Sequence, residues 1–263
     1  MNKFIPENDN CIFTGSTLIL PAISIGNVPQ LAVDLLITTL NLQRIGFLED
    51  ENVLPISGAS AGNGITVAIE VYQSSDGRWT IIQQRAPTIK KKRNVFVENL
   101  LAFIKESNFS KVILLSSADA TYRIDDQLTG IPLRFLATSE IPNDLLEQSN
   151  TLGLKLMEKI PKNEYETSIQ DYHKKQDDIQ DLPQIPGGGI SKYLFRICQN
   201  EKIPFYMIIY FAIEGDNTRD AFLLADYTNS LLNLSSHKDT IKWKAPLSWT
   251  SLFGKPFEQE LYE

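Results

Sequence analysis

TLILPAISIGNVPQLAVDLLITTLNL, residues 17–42, decides the fold class. Thr17–Ile25 is almost wholly apolar and reads as a buried strand. Pro21 brings no N–H donor, so the strand is expected at a sheet edge or with a bulge. Gly26-Asn27 is the turn. Asn27 is placed to cap a helix, and Pro29 is tolerated in its first turn. The helix is expected to run to Leu42. Val28, Leu31, Leu35 and Leu42 form one stripe, widened by Ala32, Leu36 and Leu40. A helix apolar over so broad a face must be covered. Strand, short turn and apolar helix open a β-α unit.

The alternation continues down the chain. Arg44–Leu48 reads as a short strand and Ser57–Gly64 as a small-residue loop. Ile65–Tyr72 alternates and is β-branched, and Trp79–Arg85 returns after the turn Ser74-Ser75-Asp76-Gly77, which makes a hairpin. A helix over Asn94–Glu106 precedes a buried strand, Lys111–Ser116. Leu133–Ala137 is a further strand, and Asn143–Lys159 reads as a helix. After residue 185, a helix over Ser191–Asn200 leads into the apolar strand Pro204–Ile213. A last helix runs to Leu234, and Ile241–Phe253 is expected to pack back on the body. An α/β fold with a central mixed sheet flanked by helices follows, as a single domain over residues 1–253.

Composition narrows the function. The chain has 263 residues, a net charge of −7 and 22% charged residues. An acidic body does not suit nucleic acid. The basic run Lys90-Lys91-Lys92-Arg93 reads better as a solvated surface turn than as a nuclear-targeting signal. The longest apolar run, Ile203–Ile213, is too short to span a bilayer, and the first residues lack the apolar core of a signal peptide. Two cysteines, Cys11 and Cys198, suit a reducing cytosolic or nuclear compartment. Residues 161–185 hold six acids and three lysines and read as a mobile acidic surface insertion.

Candidate chemistry is sparse. Ser116, Ser117 and Asp119 stand where open α/β sheets often place ligands. A small-molecule enzyme using them is the alternative reading. The histidines, His173 and His237, lie far away in polar segments, so polar caps on a strand end are preferred to a triad. Gly187-Gly188-Gly189 before a helix could cradle a phosphate, but it lacks the Walker pattern. A tight turn where chain crosses chain is the better reading. No cofactor, metal or catalytic set is assigned. The last stretch, Glu260-Leu261-Tyr262-Glu263, follows the Gly/Pro-broken Phe253–Phe257, so residues 254–263 read as a mobile tail. An apolar residue, a Tyr and a carboxylate are groups that a partner's pocket can capture.

Three stretches together resemble the proteasome assembly chaperone family. Residues 20–36 (LPAISIGNVPQLAVDLL) are similar to its opening β-α unit and 185–192 (IPGGGISK) to its glycine turn. Residues 211–217 (FAIEGDN), followed by Asp220-Ala221, are similar to its late strand-to-helix turn. The closing WKAPLSW (243–249) and LFG (252–254) also fit, and 161–185 matches least. The resemblance implies a non-enzymatic subunit that forms a heterodimer with a related proteasome assembly chaperone 1 subunit. That pair binds the proteasome α-subunit ring, promotes correct ring and core-particle assembly, and disfavours off-pathway α-ring dimers. It further implies a fold similar to nucleoside phosphorylases and no cofactor, nucleic acid or membrane. Leu261-Tyr262-Glu263 matches the family's hydrophobic-Tyr-X (HbYX) tail residue by residue. The resemblance implies Leu261 and Tyr262 in a groove between α subunits, with the terminal carboxylate of Glu263 on a pocket lysine.

Overall fold

The computed structural model describes residues 3–7, 11–59, 64–159, 182–235 and 241–251. The strands are β1 (Lys3–Pro6), β2 (Thr17–Pro21), β3 (Gln43–Glu49), β4 (Ser57–Ala59), β5 (Ile65–Val67), β6 (Ile69–Gln73), β7 (Trp79–Gln84), β8 (Lys111–Asp119), β9 (Leu133–Ala137), β10 (Lys155–Leu156) and β11 (Phe205–Ala212). The helices are α1 (Val28–Thr39), α2 (Arg93–Ser107), α3 (Asp125–Leu128), α4 (Asn143–Thr151), α5 (Ser191–Asn200) and α6 (Thr218–Leu232).

Nine strands form one mixed sheet in the order β1-β3-β6-β7-β2-β8-β11-β9-β10. Its centre is parallel: β7 and β8 flank β2, and β11 pairs with β8. The wing β7-β6-β3-β1 is antiparallel, and β9 runs against β11. Alternate residues of the central strands feed two cores. Leu18, Leu20, Val112, Leu114, Phe205, Met207 and Ile209 meet α2 and α5 on one face. Ile19, Ile113, Leu115, Tyr206 and Ile208 meet α1, α4 and α6 on the other. Burial on both faces is why these strands read as continuous apolar runs. Each such side chain contributes about 1.5–3 kcal/mol relative to exposure.

Several boundaries depart from the sequence reading. The strand of Pro21 lies inside the sheet, not at an edge. Pro21 is tolerated because it is the last residue of β2, paired only with Leu115 of β8 after β7 has ended its ladder at Ile19. Asn27 does precede α1, but it sits in the left-handed region (φ 54°) and its side chain makes no capping bond. Helix α1 stops at Thr39, not Leu42, because Asn41 turns to φ 51°. Helix α4 stops at Thr151, not Lys159. Gly153 at φ 72° reverses the chain, Leu154 is buried, and residues 155–156 join the sheet as β10. The expected strand 65–72 divides at Ala68, and β5 pairs with β4 inside the expected small-residue loop. Strand β1 was not anticipated. Phe4 holds it down, with its ring 5.0 Å from Phe13 and 6.3 Å from Phe103. Most of the acidic stretch 161–185, namely residues 161–181, lies outside the described residues.

Candidate functional site

Three turns meet at the carboxyl end of the parallel strands: 22–27 after β2, 185–190 before α5, and 213–217 after β11. Backbone bonds tie them together. Ile25 N–H donates to the Gly187 carbonyl at 2.9 Å, and Asp119 N–H donates to the Pro186 carbonyl at 2.8 Å. The glycines make this crossing possible. A Cβ on Gly189 would lie 2.1 Å from the Ile23 carbonyl oxygen, and one on Gly187 would lie 3.0 Å from Ile25 Cβ. Gly26 is backed as closely by Asn217, whose Nδ2 donates to the Ile213 and Gly215 carbonyls. The glycine turn is therefore a crowded chain crossing. Gly188 and Ser191 N–H groups already donate to backbone carbonyls there. The shallow depression of about 460 Å³ over the turn is lined by both Glu214 and Arg93, so its charges do not select for an anion.

Ser116 and Ser117 lie inside β8 and are fully buried, not capping its end. Ser116 Oγ pairs with Ser191 Oγ at 2.6 Å, and Ser117 Oγ with Ser24 Oγ at 2.7 Å. These hydroxyls stitch β8 to the turns on either side. Asp119 ends the strand and accepts from Thr121 N–H and Oγ1, and these bonds hold its carboxyl below the usual range. Both histidines are outside the described residues. Lys90–Arg93 is an exposed turn leading into α2, as expected. Among the described residues no three metal-ligating side chains cluster, and no helix is long and apolar enough to cross a membrane.

The second feature is the segment 241–251, which lies over α1 and α6. Each helix follows a strand of the parallel set, so the two run side by side in the same direction. Trp243 Nε1 donates to Asp226 of α6 at 2.6 Å, and Lys244 N–H donates to Thr39 Oγ1 at the end of α1 at 2.9 Å. Further along, Trp249 Nε1 reaches Asp34 in mid-α1 at 3.4 Å, and its ring meets Phe222 of α6 edge-on at 6.1 Å. Contacts move from Thr39 to Asp34 and from Asp226 to Phe222. The segment therefore runs antiparallel to both helices, toward the end of the molecule that carries the glycine crossing. Leu261, Tyr262 and Glu263 lie outside the described residues.

Asp34 is the last member of a partly buried ionic chain, centred on the fully buried Glu70, that the sequence reading missed. Gln83 Nε2 donates to its Oδ1 at 2.6 Å and Arg85 Nη2 at 3.1 Å. Arg85 also meets Glu70 at 3.0 Å, Glu70 meets Arg44 at 2.9 Å, and Arg44 grips Glu7 with two bonds. Burial alone would lower the Arg85 pKa, but Asp34 and Glu70 raise it further, so it stays charged. Burial, with the Glu70 charge behind it, pushes Tyr72 up to about 12. The alternation of 65–72 marked these positions as strand. Nothing in it marked Glu70 as buried rather than outward-facing.

The PAC2 family model matches residues 18–240. The chain belongs to the PAC2 family. Three relatives, all called proteasome assembly chaperone 2, resemble it over most of its length. That of Nematostella vectensis is 41% identical, over 90% of this chain and 98% of its own. That of Danio rerio is 38% identical, over 92% and 93%. The human protein is 34% identical, over 98% and 100%. Among solved structures, Pyrococcus furiosus PbaA, an archaeal homologue of proteasome-assembly chaperone, gives a TM-score of 0.64 at 15% identity, covering 90% of this chain and 88% of its own. PbaB of the same organism, an archaeal proteasome activator, gives 0.61 at 13% identity, covering 90% and 91%. These structures share the fold. The PAC2 match covers the β-α unit, the glycine turn and the late strand-to-helix turn that carried the resemblance.

Proposed function

We propose that this PAC2-family chain is a proteasome assembly chaperone subunit. It forms a heterodimer with a related chaperone subunit, binds the proteasome α ring, promotes its correct assembly and disfavours off-pathway α-ring dimers. The observation that carries this reading is the 41% identity to a proteasome assembly chaperone 2 over 90% of the chain. Burial of Ser116 and Ser117 inside β8 also favours a binding protein over the enzyme reading. Leu261, Tyr262 and Glu263 act as the docking end, the two apolar groups in a groove between α subunits and the carboxylate on a cation. The protein works in a reducing cytosolic or nuclear compartment, a reading supported by its low cysteine count of 2.

A charge-assisted bond of the kind proposed for Glu263 contributes roughly 1.5–3 kcal/mol. Deleting Leu261–Glu263 is therefore expected to weaken binding to a reconstituted α ring by about tenfold or more, with the melting temperature unchanged. Unchanged affinity would remove the tail from the mechanism. Failure of the intact chain, with its partner subunit, to bind α subunits would overturn the chaperone reading itself.

A further inference from the structure

We propose that residues 241–251 are an anchor that fixes where the docking end starts, with Trp249 on Asp34 as its positioning contact. This rests on the tail reading above and adds to it the part of the body that aims the tail. Three observations carry it. The segment is held at both ends: Trp243 on Asp226 and Lys244 on Thr39 at one, Trp249 on Asp34 and Phe222 at the other. It buries little in doing so. Trp243 and Trp249 are only partly covered, and Leu247 is 68% exposed. Arg85 and Gln83 take Asp34 Oδ1, which leaves Oδ2 for the indole N–H. A weakly buried segment pinned by directed bonds suits positioning better than core stabilisation.

The expected gain follows from tether length. Nine residues, 252–260, separate Ser251 from Leu261. Without the anchor the tether starts at Ser235, after α6, and twenty-five residues separate it from Leu261. Effective concentration at a second contact falls roughly as the −3/2 power of tether length. Losing the anchor therefore weakens two-contact binding by about four- to fivefold.

The test places the same ten-residue Gly/Ser insert at two positions in the full chain, paired with its partner subunit, and measures affinity for the α ring. Between Phe253 and Gly254, beyond the anchor, the insert is expected to weaken binding about threefold. Between Ser236 and His237, ahead of the anchor, it is expected to change nothing, because the anchor hides the added length. Trp249→Phe, which keeps the ring and removes the N–H, and Trp249→Ala should weaken binding only when Leu261–Glu263 is present. Two inserts with equal effect, or Trp249 variants that act equally on a tail-deleted chain, would overturn the anchor. If deleting the tail itself changes nothing, the tail reading and the anchor fall together, so the two failures are separable. Melting temperatures of all variants identify any loss that is merely unfolding.

Discussion

Gly189→Ala tests whether the chain crossing at the carboxyl end of the sheet is as tight as its geometry states. Gly189 has φ +63°, a left-handed conformation that costs an L side chain about 1–2 kcal/mol. Its Cβ would also stand 2.1 Å from the Ile23 carbonyl oxygen, where carbon–oxygen contacts need roughly 3.3 Å. One turn must move by about 1 Å. The Ile23 turn is held by the Ile25 N–H to Gly187 bond and by Ser24 on Ser117. Losing two such bonds adds about 1–3 kcal/mol. Gly77→Ala is the control. Gly77 has φ +70°, but nothing lies within 4 Å of its Cβ position, so only the backbone cost of about 1–2 kcal/mol applies. Urea denaturation of both variants should put Gly189→Ala about 1–3 kcal/mol below Gly77→Ala, at an unchanged slope. At roughly 2–4 °C per kcal/mol, its melting temperature falls a further 2–12 °C or so. Equal losses in the two variants would refute the crossing argument, since they would show that the turns separate freely.

Glu70→Gln removes the buried charge between Arg44 and Arg85. It should cost about 2–4 kcal/mol by urea denaturation, below the full value for a deeply buried pair because both arginines reach solvent. An accompanying Arg85→Met should add to that loss, because buried Asp34 then loses its arginine as well. Glu158→Gln tests the contact with buried Arg134, 2.8 Å away. Burial acts to raise the Glu158 pKa, but hydrogen bonds from Gln127 and Arg134 outweigh it and hold the carboxyl below its ordinary value. A group depressed on folding stabilises above its unfolded pKa of about 4.3 and loses that contribution as pH falls through its folded value. The stability gap between wild type and Glu158→Gln should therefore be full at neutral pH and shrink below about pH 4. A gap independent of pH would refute that assignment.

The parallel core was legible because its strands are buried on both faces. Thr17–Pro21, Lys111–Ser116 and Phe205–Ala212 announce themselves as apolar runs, and the glycine cluster announced its crowding. What stayed hidden depends on pairings between residues far apart in sequence. Pro21 reads as an edge signal, yet it is tolerated inside the sheet because the distant strand β7 ends its ladder with β2 at the Ile19–Ile81 pair. Leu152 and Leu156 continue a helical period, yet Gly153 takes a left-handed conformation and Leu156 ends in the edge strand Lys155–Leu156. The Asp34–Arg85–Glu70–Arg44–Glu7 chain joins α1, the residue after β7, strands β6 and β3, and the segment after β1. No local pattern marks charges that find partners only after folding. The proposed docking residues Leu261, Tyr262 and Glu263 were named from the sequence, while the Trp249–Asp34 contact required coordinates.

Open α/β sheets bind ligands in the crevice beyond the carboxyl ends of their strands. In this chain that crevice holds its own backbone. The turn of Gly187–Gly189 lies against Ile23 and Ile25, Asn217 fills the space beside Gly26, and Ser24, Ser116, Ser117 and Ser191 spend their hydroxyls on one another or on nearby carbonyls. Rigid closure there has a consequence for binding. Helices α1 and α6 both start at this end, from strands locked by the crossing, and they form the bed for residues 241–251. A segment pinned to a rigid bed gives the chain beyond it a fixed origin. A mobile bed would surrender that advantage, because effective concentration depends on where the tether begins as well as on its length.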